Sequence, residues 1–198
     1  MYIPPAFAEG GTEGWEAVVR AHPLGTLMTA SAEGMMANHV PFLLEGERLV
    51  AHLARANPQW KVLQRGEAVL VVFQGVESYV TPRWYAAKRD HGRVVPTWNF
   101  VAVHVHGVAR IIEDAGWLRE QVGRLTDRHE APAAMPWAVA DAPEEFVAAQ
   151  LRGIVGLEIA ITRVEAKWKL SQNRDAADRA GVAAGLAAAG SAMAGRIG

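Results

Sequence analysis

The stretch Val101-Ala102-Val103-His104-Val105-His106, running on to Ile112, constrains this chain more than any other. It is the longest strand candidate, and its residues alternate with a period of two. Val101, Val103 and Val105 therefore fall on one face, and Ala102, His104 and His106 on the other. Shorter strand candidates precede it: Thr26 to Ala30, Met36 to Leu44, and Arg48-Leu49-Val50-Ala51 running on toward Arg55. Ser31-Ala32-Glu33-Gly34 and Glu45-Gly46-Glu47 supply the turns of an antiparallel meander. Ala68 to Phe73 is a continuous apolar run of the kind found in a buried strand. Ile154 to Ile161 and Val164 to Leu170 read as two closing strands around the turn Thr162-Arg163.

Helical patterns are fewer. Gly14 to Ala21 carries Trp15, Val18 and Val19 as an apolar stripe. A helix is expected from Asn57 to Arg65, and Asp114 can cap another that runs to about Arg128 with Trp117, Leu118, Val122 and Leu125. Pro143 starts a short helix with Phe146 and Leu151 as its apolar contacts. Asp175 to Gly190 is an alanine-rich helix candidate, and disorder is expected beyond it. Met1 to Gly14 reads as a Pro/Gly-rich lead-in. Gln74 to Val95 reads as a long irregular connection carrying Tyr79, Trp84 and Tyr85, with Lys88 to Arg93 as its exposed tip. Strands outnumber helices and most links are short. The expected fold class is mainly β (α+β): a small antiparallel barrel with peripheral helices, because closure removes exposed strand edges. One domain is expected over residues 1–174, followed by the Ala/Gly-rich segment 175–198.

Composition narrows the function. The 198 residues hold 20 basic and 21 acidic side chains, a formal net charge of −1, which gives no general attraction to nucleic acid or to an anionic membrane. The absence of cysteine excludes a disulfide scaffold, a thiolate metal site and a cysteine nucleophile. A cytoplasmic location fits, since Met1-Tyr2-Ile3-Pro4-Pro5 breaks any signal helix. The Val182 to Gly195 run is too short to span a bilayer.

Four stretches are polar where their surroundings are apolar: Asn38-His39, His52 to Lys61, Thr97-Trp98-Asn99, and Lys169 to Arg174. They offer cations, amides, hydroxyls and indoles, but no catalytic set. None of the four serines sits in a nucleophile-elbow context, and the acidic residues lie mostly on helices and turns. His104 and His106 share a strand face but lack an evident third ligand, so no metal site is expected. The inventory suits a planar, phosphorylated ligand: amides for ring heteroatoms, tryptophan for a ring face, Arg and Lys for phosphate. In the second stretch, Asn57 is a good N-cap and Pro58 suits the first helical position. A strand that delivers Arg55 beside that helix start makes a natural anion pocket, or simply a structural turn with a surface arginine.

Met1-Tyr2-Ile3-Pro4, His52-Leu53-Ala54-Arg55-Ala56-Asn57-Pro58-Gln59-Trp60, Val95 to Gly107 and Lys169-Leu170-Ser171-Gln172-Asn173-Arg174 together resemble the PaiB-type FMN-binding negative transcriptional regulators, over Met1 to about Arg174. The resemblance implies a split β-barrel shared with pyridoxamine-phosphate oxidase-like flavoproteins, usually a homodimer with FMN at the subunit interface. It places Arg55 and Lys61, near Asn57 and Trp60, on the phosphate side. Asn38, His39 and His52 would line the flavin ring edge, and Thr97, Trp98 and Asn99 would contact the flavin or its ribityl chain. Lys169, Gln172, Asn173 and Arg174 would close the site, from the partner subunit where the dimer forms it. No catalysis is required. The alternatives are a flavin-dependent oxidoreductase acting on a small substrate and, less favoured, a haem-binding or haem-degrading relative. The net charge of −1 and the lack of a helix-turn-helix signature or a basic recognition helix argue against ordinary operator binding. The routes left open are DNA, through a basic patch that a dimer gathers from Arg83, Lys88, Arg89 and Arg93, and indirect regulation through a protein partner or the flavin redox state.

Overall fold

The computed structural model describes residues 1–8, 14–66 and 68–198, so the expected lead-in from Met1 to Gly14 lies partly outside the described residues. Its described part forms a tight turn, Pro5–Phe7, whose Phe7 is buried. The elements that follow are α1 (Trp15–Ala21), β1 (Leu24–Ser31), β2 (Gly34–Pro41), β3 (Leu43–Glu45), β4 (Arg48–Ala54), α2 (Gln59–Leu63), β5 (Ala68–Val80), α3 (Ala87–Asp90), β6 (Thr97–Ile112), α4 (Ala115–Glu130), α5 (Glu144–Arg152), β7 (Ile154–Lys169) and α6 (Ala176–Ala188). The strands are ordered β2-β1-β5-β6-β7-β4-β3. Antiparallel ladders join β1 to β2 and β5, and β4 to β3 and β7.

The chain divides into two compact units. One comprises residues 23–72 and 105–164 and buries Leu27, Leu49, Val71, Val105, Leu118, Leu157 and Ile159. The other comprises residues 1–22, 73–104 and 165–198, and buries Val19, Phe73, Val101, Val103, Trp168, Val182 and Leu186. The alternation expected of β6 holds along its whole middle: Asn99, Val101, Val103, Val105, Gly107 and Ala109 are buried in turn. Asp114 caps α4 by accepting from the Trp117 amide at 2.8 Å, and Asp175 caps α6 by accepting from Asp178 at the same distance.

Several expectations need correction. The two closing strands are one strand, β7. Thr162 and Arg163 do not turn the chain, because both side chains find partners on His106 of the neighbouring strand: the Thr162 hydroxyl donates to its carbonyl at 3.2 Å and Arg163 meets its ring Nε2 at 3.1 Å. The supposedly irregular Gln74 to Val80 continues β5; its polar residues sit on the outward positions Gln74, Glu77 and Tyr79. The expected strand from Met36 to Leu44 breaks at Phe42, whose side chain is buried and whose amide bonds the Pro23 carbonyl at 2.9 Å. Helix α2 is shorter than expected at both ends.

The chain beyond Gly190 is ordered. Gly190 takes a left-handed conformation at φ 66°, and the amides of Gly190 and Ser191 return to the carbonyls of Ala187 and Leu186, both at 3.0 Å. This double bond pattern closes the helix and turns the chain back, so that Met193 becomes fully buried.

Candidate functional site

The His52–Lys61 stretch belongs to the first unit. Strand β4 carries His52, half-buried, whose Nδ1 lies 2.8 Å from Oε1 of Gln121 on α4. Gln121 is fully buried and its Nε2 has no hydrogen-bond partner, so this amide is committed to the histidine. Arg55, just past the strand, is braced at all three guanidinium nitrogens. Nη1 meets the Glu113 carboxylate at 2.6 Å, Nε the Arg152 carbonyl at 3.1 Å and Nη2 the Ile154 carbonyl at 3.2 Å. Its charge is thus already paired with a carboxylate, which makes it a fixed wall rather than a loose cation.

Pro58, not Asn57, is the N-cap of α2, whose first residue is Gln59; Asn57 instead closes the turn before the helix by accepting from the Gln59 amide at 3.0 Å. Gln59 is the residue that sequence reasoning missed. It is fully buried, takes the Asn38 amide proton on Oε1 at 2.8 Å, and donates through Nε2 to the Leu27 carbonyl, the Thr29 hydroxyl and the Met36 carbonyl at 3.1, 3.2 and 3.4 Å. This amide ties α2 to β1 and β2 and fixes Asn38. Trp60 donates to the Arg55 carbonyl at 2.9 Å, and the exposed Lys61 ammonium lies 5.9 Å from its ring centre. Next to this turn is a cleft of about 410 Å³ whose lining includes Lys61, Arg65, Thr29 and Ser31. His39 projects from β2 into solvent.

The second unit holds the other group. Thr97, Trp98 and Asn99 open β6, while Lys169 ends β7 and Leu170 to Arg174 follow it. Lys169 donates to the Thr97 hydroxyl, and Asn99 donates to the Ser171 hydroxyl at 2.9 Å. Ser171 sits at φ 66°, an uncommon conformation for a residue with a side chain, and its bond to buried Asn99 holds it there. Gln172 staples the turn, accepting from the Leu170 amide at 2.7 Å and donating to the Trp168 carbonyl at 2.6 Å. Trp98 is half-exposed, stands edge-on to Tyr79 with ring centres 5.8 Å apart, and donates to Glu77. The Arg174 guanidinium lies 4.6 Å from the centre of the Tyr85 ring, and Asn173 is exposed.

Charge in this second group is unbalanced. Burial, aided by the positive charges of Lys167 and Arg174, holds the Lys169 ammonium below the ordinary lysine range. A protonated Lys169 is therefore under strain that a negative group would relieve. Burial also pushes the Tyr85 phenol up, against the pull of Arg174.

Residues 1–163 match the family described as "Putative FMN-binding domain". The chain belongs to this family. A PaiB relative from Bacillus subtilis, named protease synthase and sporulation protein PAI 2, is 32% identical over 90% of this chain and 85% of its own length. An uncharacterized yeast protein, YKL070W, is 38% identical over 66% of this chain and 90% of its own length. Among solved structures, an FAD- and haem-binding protein from Mycobacterium smegmatis superposes with a TM-score of 0.62 at 19% identity, over 89% of this chain and 79% of that one. The flavocytochrome Anf3 from Azotobacter vinelandii does so at 0.61 and 18%, over 87% and 74%. Those two likenesses define the fold, the antiparallel split β-barrel with peripheral helices.

FMN is the cofactor of this FMN-binding family member. The residues present fit it. FMN joins a phosphate dianion to a flat ring edged with hydrogen-bonding atoms. The chain offers a cation cluster that favours an anion at Lys169, together with amides, hydroxyls and a half-exposed indole. The structure places Asn38, His39, His52, Arg55, Asn57, Trp60 and Lys61 in one unit, and Thr97, Trp98, Asn99, Lys169, Gln172, Asn173 and Arg174 in the other.

Proposed function

We propose that this protein is an FMN-loaded homodimer of the PaiB type that acts in negative transcriptional regulation, with the flavin held at the subunit interface. Each protomer contributes both residue groups, and one flavin is gripped by groups from different protomers. Arg55 and Lys61, beside the turn that Asn57 closes, flank the phosphate. Asn38, His39 and His52 edge the ring, with Gln59 and Gln121 fixing Asn38 and His52 from beneath. Thr97, Trp98 and Asn99 face the flavin and its ribityl chain, and Lys169, Gln172, Asn173 and Arg174 close the site. Bound FMN supplies an electron-accepting ring; the protein side chains bind and orient it and need do no covalent chemistry.

The observation that carries this reading is the ammonium of Lys169, half-buried against the Thr97 hydroxyl and depressed by burial and by the neighbouring cations Lys167 and Arg174. Such a cluster is costly alone and is stabilised by a bound anion. The regulatory assignment rests on the resemblance of the His52–Trp60, Val95–Gly107 and Lys169–Arg174 motifs to the PaiB-type regulators. Mass spectrometry of the ligand released on denaturation, with light scattering of the native protein, tests the reading: one FMN per protomer in a dimer is expected. A monomer that binds FMN at full stoichiometry overturns the interface site. A gel shift at physiological salt tests direct regulation; affinity for its own upstream DNA no better than for random DNA moves the regulatory contact to a protein partner.

A further inference from the structure

The unit formed by residues 1–22, 73–104 and 165–198 contains a second concave feature that shares no residue with the flavin set. It is a groove of about 450 Å³ lined by Arg83, Trp84, Tyr85, Lys88, Arg89 and the α6 residues Gly181, Ala184 and Gly185. Its construction is specific. The Thr81 hydroxyl accepts from both the amide and Nε of Arg83 at 3.3 Å, which orients that guanidinium. The Trp84 indole lies against α6 where only glycine leaves room: a Cβ at Gly185 would stand 2.3 Å from the ring, and one at Gly181 2.0 Å from the Trp84 carbonyl oxygen. The buried Asp178 carboxylate on α6 accepts from the Ala87 amide at 2.9 Å and so pins the start of the turn that presents Lys88 and Arg89. Helix α6 thus serves as the fixed back wall of a cationic groove.

No carboxylate is among the lining residues. Of the nearby acids, Asp178 is buried and spent on the Ala87 amide, and Asp90 follows Arg89 in the exposed turn. Three cations converge on a concavity larger than a phosphate needs. Its remaining walls are an indole, a phenol ring and glycine and alanine backbone. Three cations match the charge of a pyrophosphate, and the apolar remainder suits a flat organic body. We propose that this groove binds a small molecule of the nucleoside diphosphate class, as a site additional to the flavin's. Arg83, Lys88 and Arg89 take the phosphates, and the face of the Trp84 indole turned away from α6, with Ala184, takes the organic part. The groove uses residues beyond position 163, where the family match ends.

The test is calorimetric titration of the FMN-loaded protein with ADP, inorganic pyrophosphate and adenosine. One ADP per protomer without flavin release is expected, with pyrophosphate weaker and adenosine weaker still. A Lys88→Glu, Arg89→Glu double variant, shown to be folded by its unchanged flavin content, is expected to lose ADP affinity by about tenfold or more, since each charge-assisted phosphate bond is strong. No heat with ADP or pyrophosphate overturns the proposal, as does equal binding by the double variant. Stoichiometric flavin release by ADP also overturns it, because the groove then belongs to the flavin. A DNA shift lost in the double variant, with no ADP binding by the parent, assigns the cations to nucleic acid instead. Failure of the FMN dimer would appear separately, as absent flavin or a monomeric mass.

Discussion

Replacing Gln59 by leucine probes the deepest polar tie beneath the first residue group. The side chain is fully buried and makes four hydrogen bonds, from Asn38 and to Leu27, Thr29 and Met36. Leucine has similar bulk but can satisfy none of them. Asn38 and Met36 keep partial access to solvent, whereas the Leu27 residue and Thr29 are interior and lose their partner outright. Two newly unsatisfied buried groups cost about 1–3 kcal/mol each. Burying leucine in place of an amide offsets about 1–2 kcal/mol of that. Taken at the middle of both ranges, the net expectation is a destabilisation of about 2–3 kcal/mol, a melting-temperature drop of about 4–12 °C for a chain of this size. Urea denaturation followed by tryptophan fluorescence measures it, with an unchanged slope and a lower midpoint. Asn38, released from Oε1, should also become mobile and weaken FMN binding. A loss below about 1 kcal/mol would refute the reasoning, because it would mean that water or a shifted strand satisfies the orphaned groups.

Three further outcomes are expected. Arg55→Ala should lower flavin content while changing stability by no more than about 1 kcal/mol, since the Arg55–Glu113 pair is half-exposed; flavin absorbance after denaturation and a melting curve check both halves. Lys169 is a cation whose ionisation is depressed in the fold, so the unfolded chain binds more protons than the folded one between its lowered value and the ordinary 10.5. Stability should therefore rise with pH across that window, so the stability of the flavin-free parent relative to Lys169→Met should increase with pH. A pH series of melting temperatures on the two proteins reads this directly, and a difference that stays flat rejects it. Gly181→Ala places a Cβ 2.0 Å from the Trp84 carbonyl oxygen, so α6 should be displaced. Hydrogen exchange of the α6 amides should speed up by at least tenfold, while exchange in β4 stays unchanged.

Much of this arrangement was legible in local sequence. The valine alternation of β6, the Asp114 and Asp175 caps and the Asn57 turn are local signals, and the structure realises them. What escaped was long-range. Thr162-Arg163 looks like a turn because both residues are polar, yet His106 on another strand gives them partners. Gln59 and Gln121 are ordinary polar residues in sequence; only the burial supplied by distant segments makes them structural. Gln121 did leave a trace, since it falls three residues after Leu118, on the stripe that α4 turns inward. The role of Tyr85 depends on Arg174, 89 positions away and within 4.6 Å of its ring. No local pattern could announce it.

The uninterrupted in-and-out rhythm of β6 has a consequence for how such chains can diverge. From Asn99 to Ala109 every second residue is interior, so inserting or deleting one residue there would exchange the inner and outer faces over the remaining length. Descendants of this sequence can alter the length of that segment only in steps of two, or with a compensating bulge. The exposed stretch from Ala131 to Pro136 between α4 and α5 is under no such parity rule. Length variation among homologues should collect there and be nearly absent from the strand.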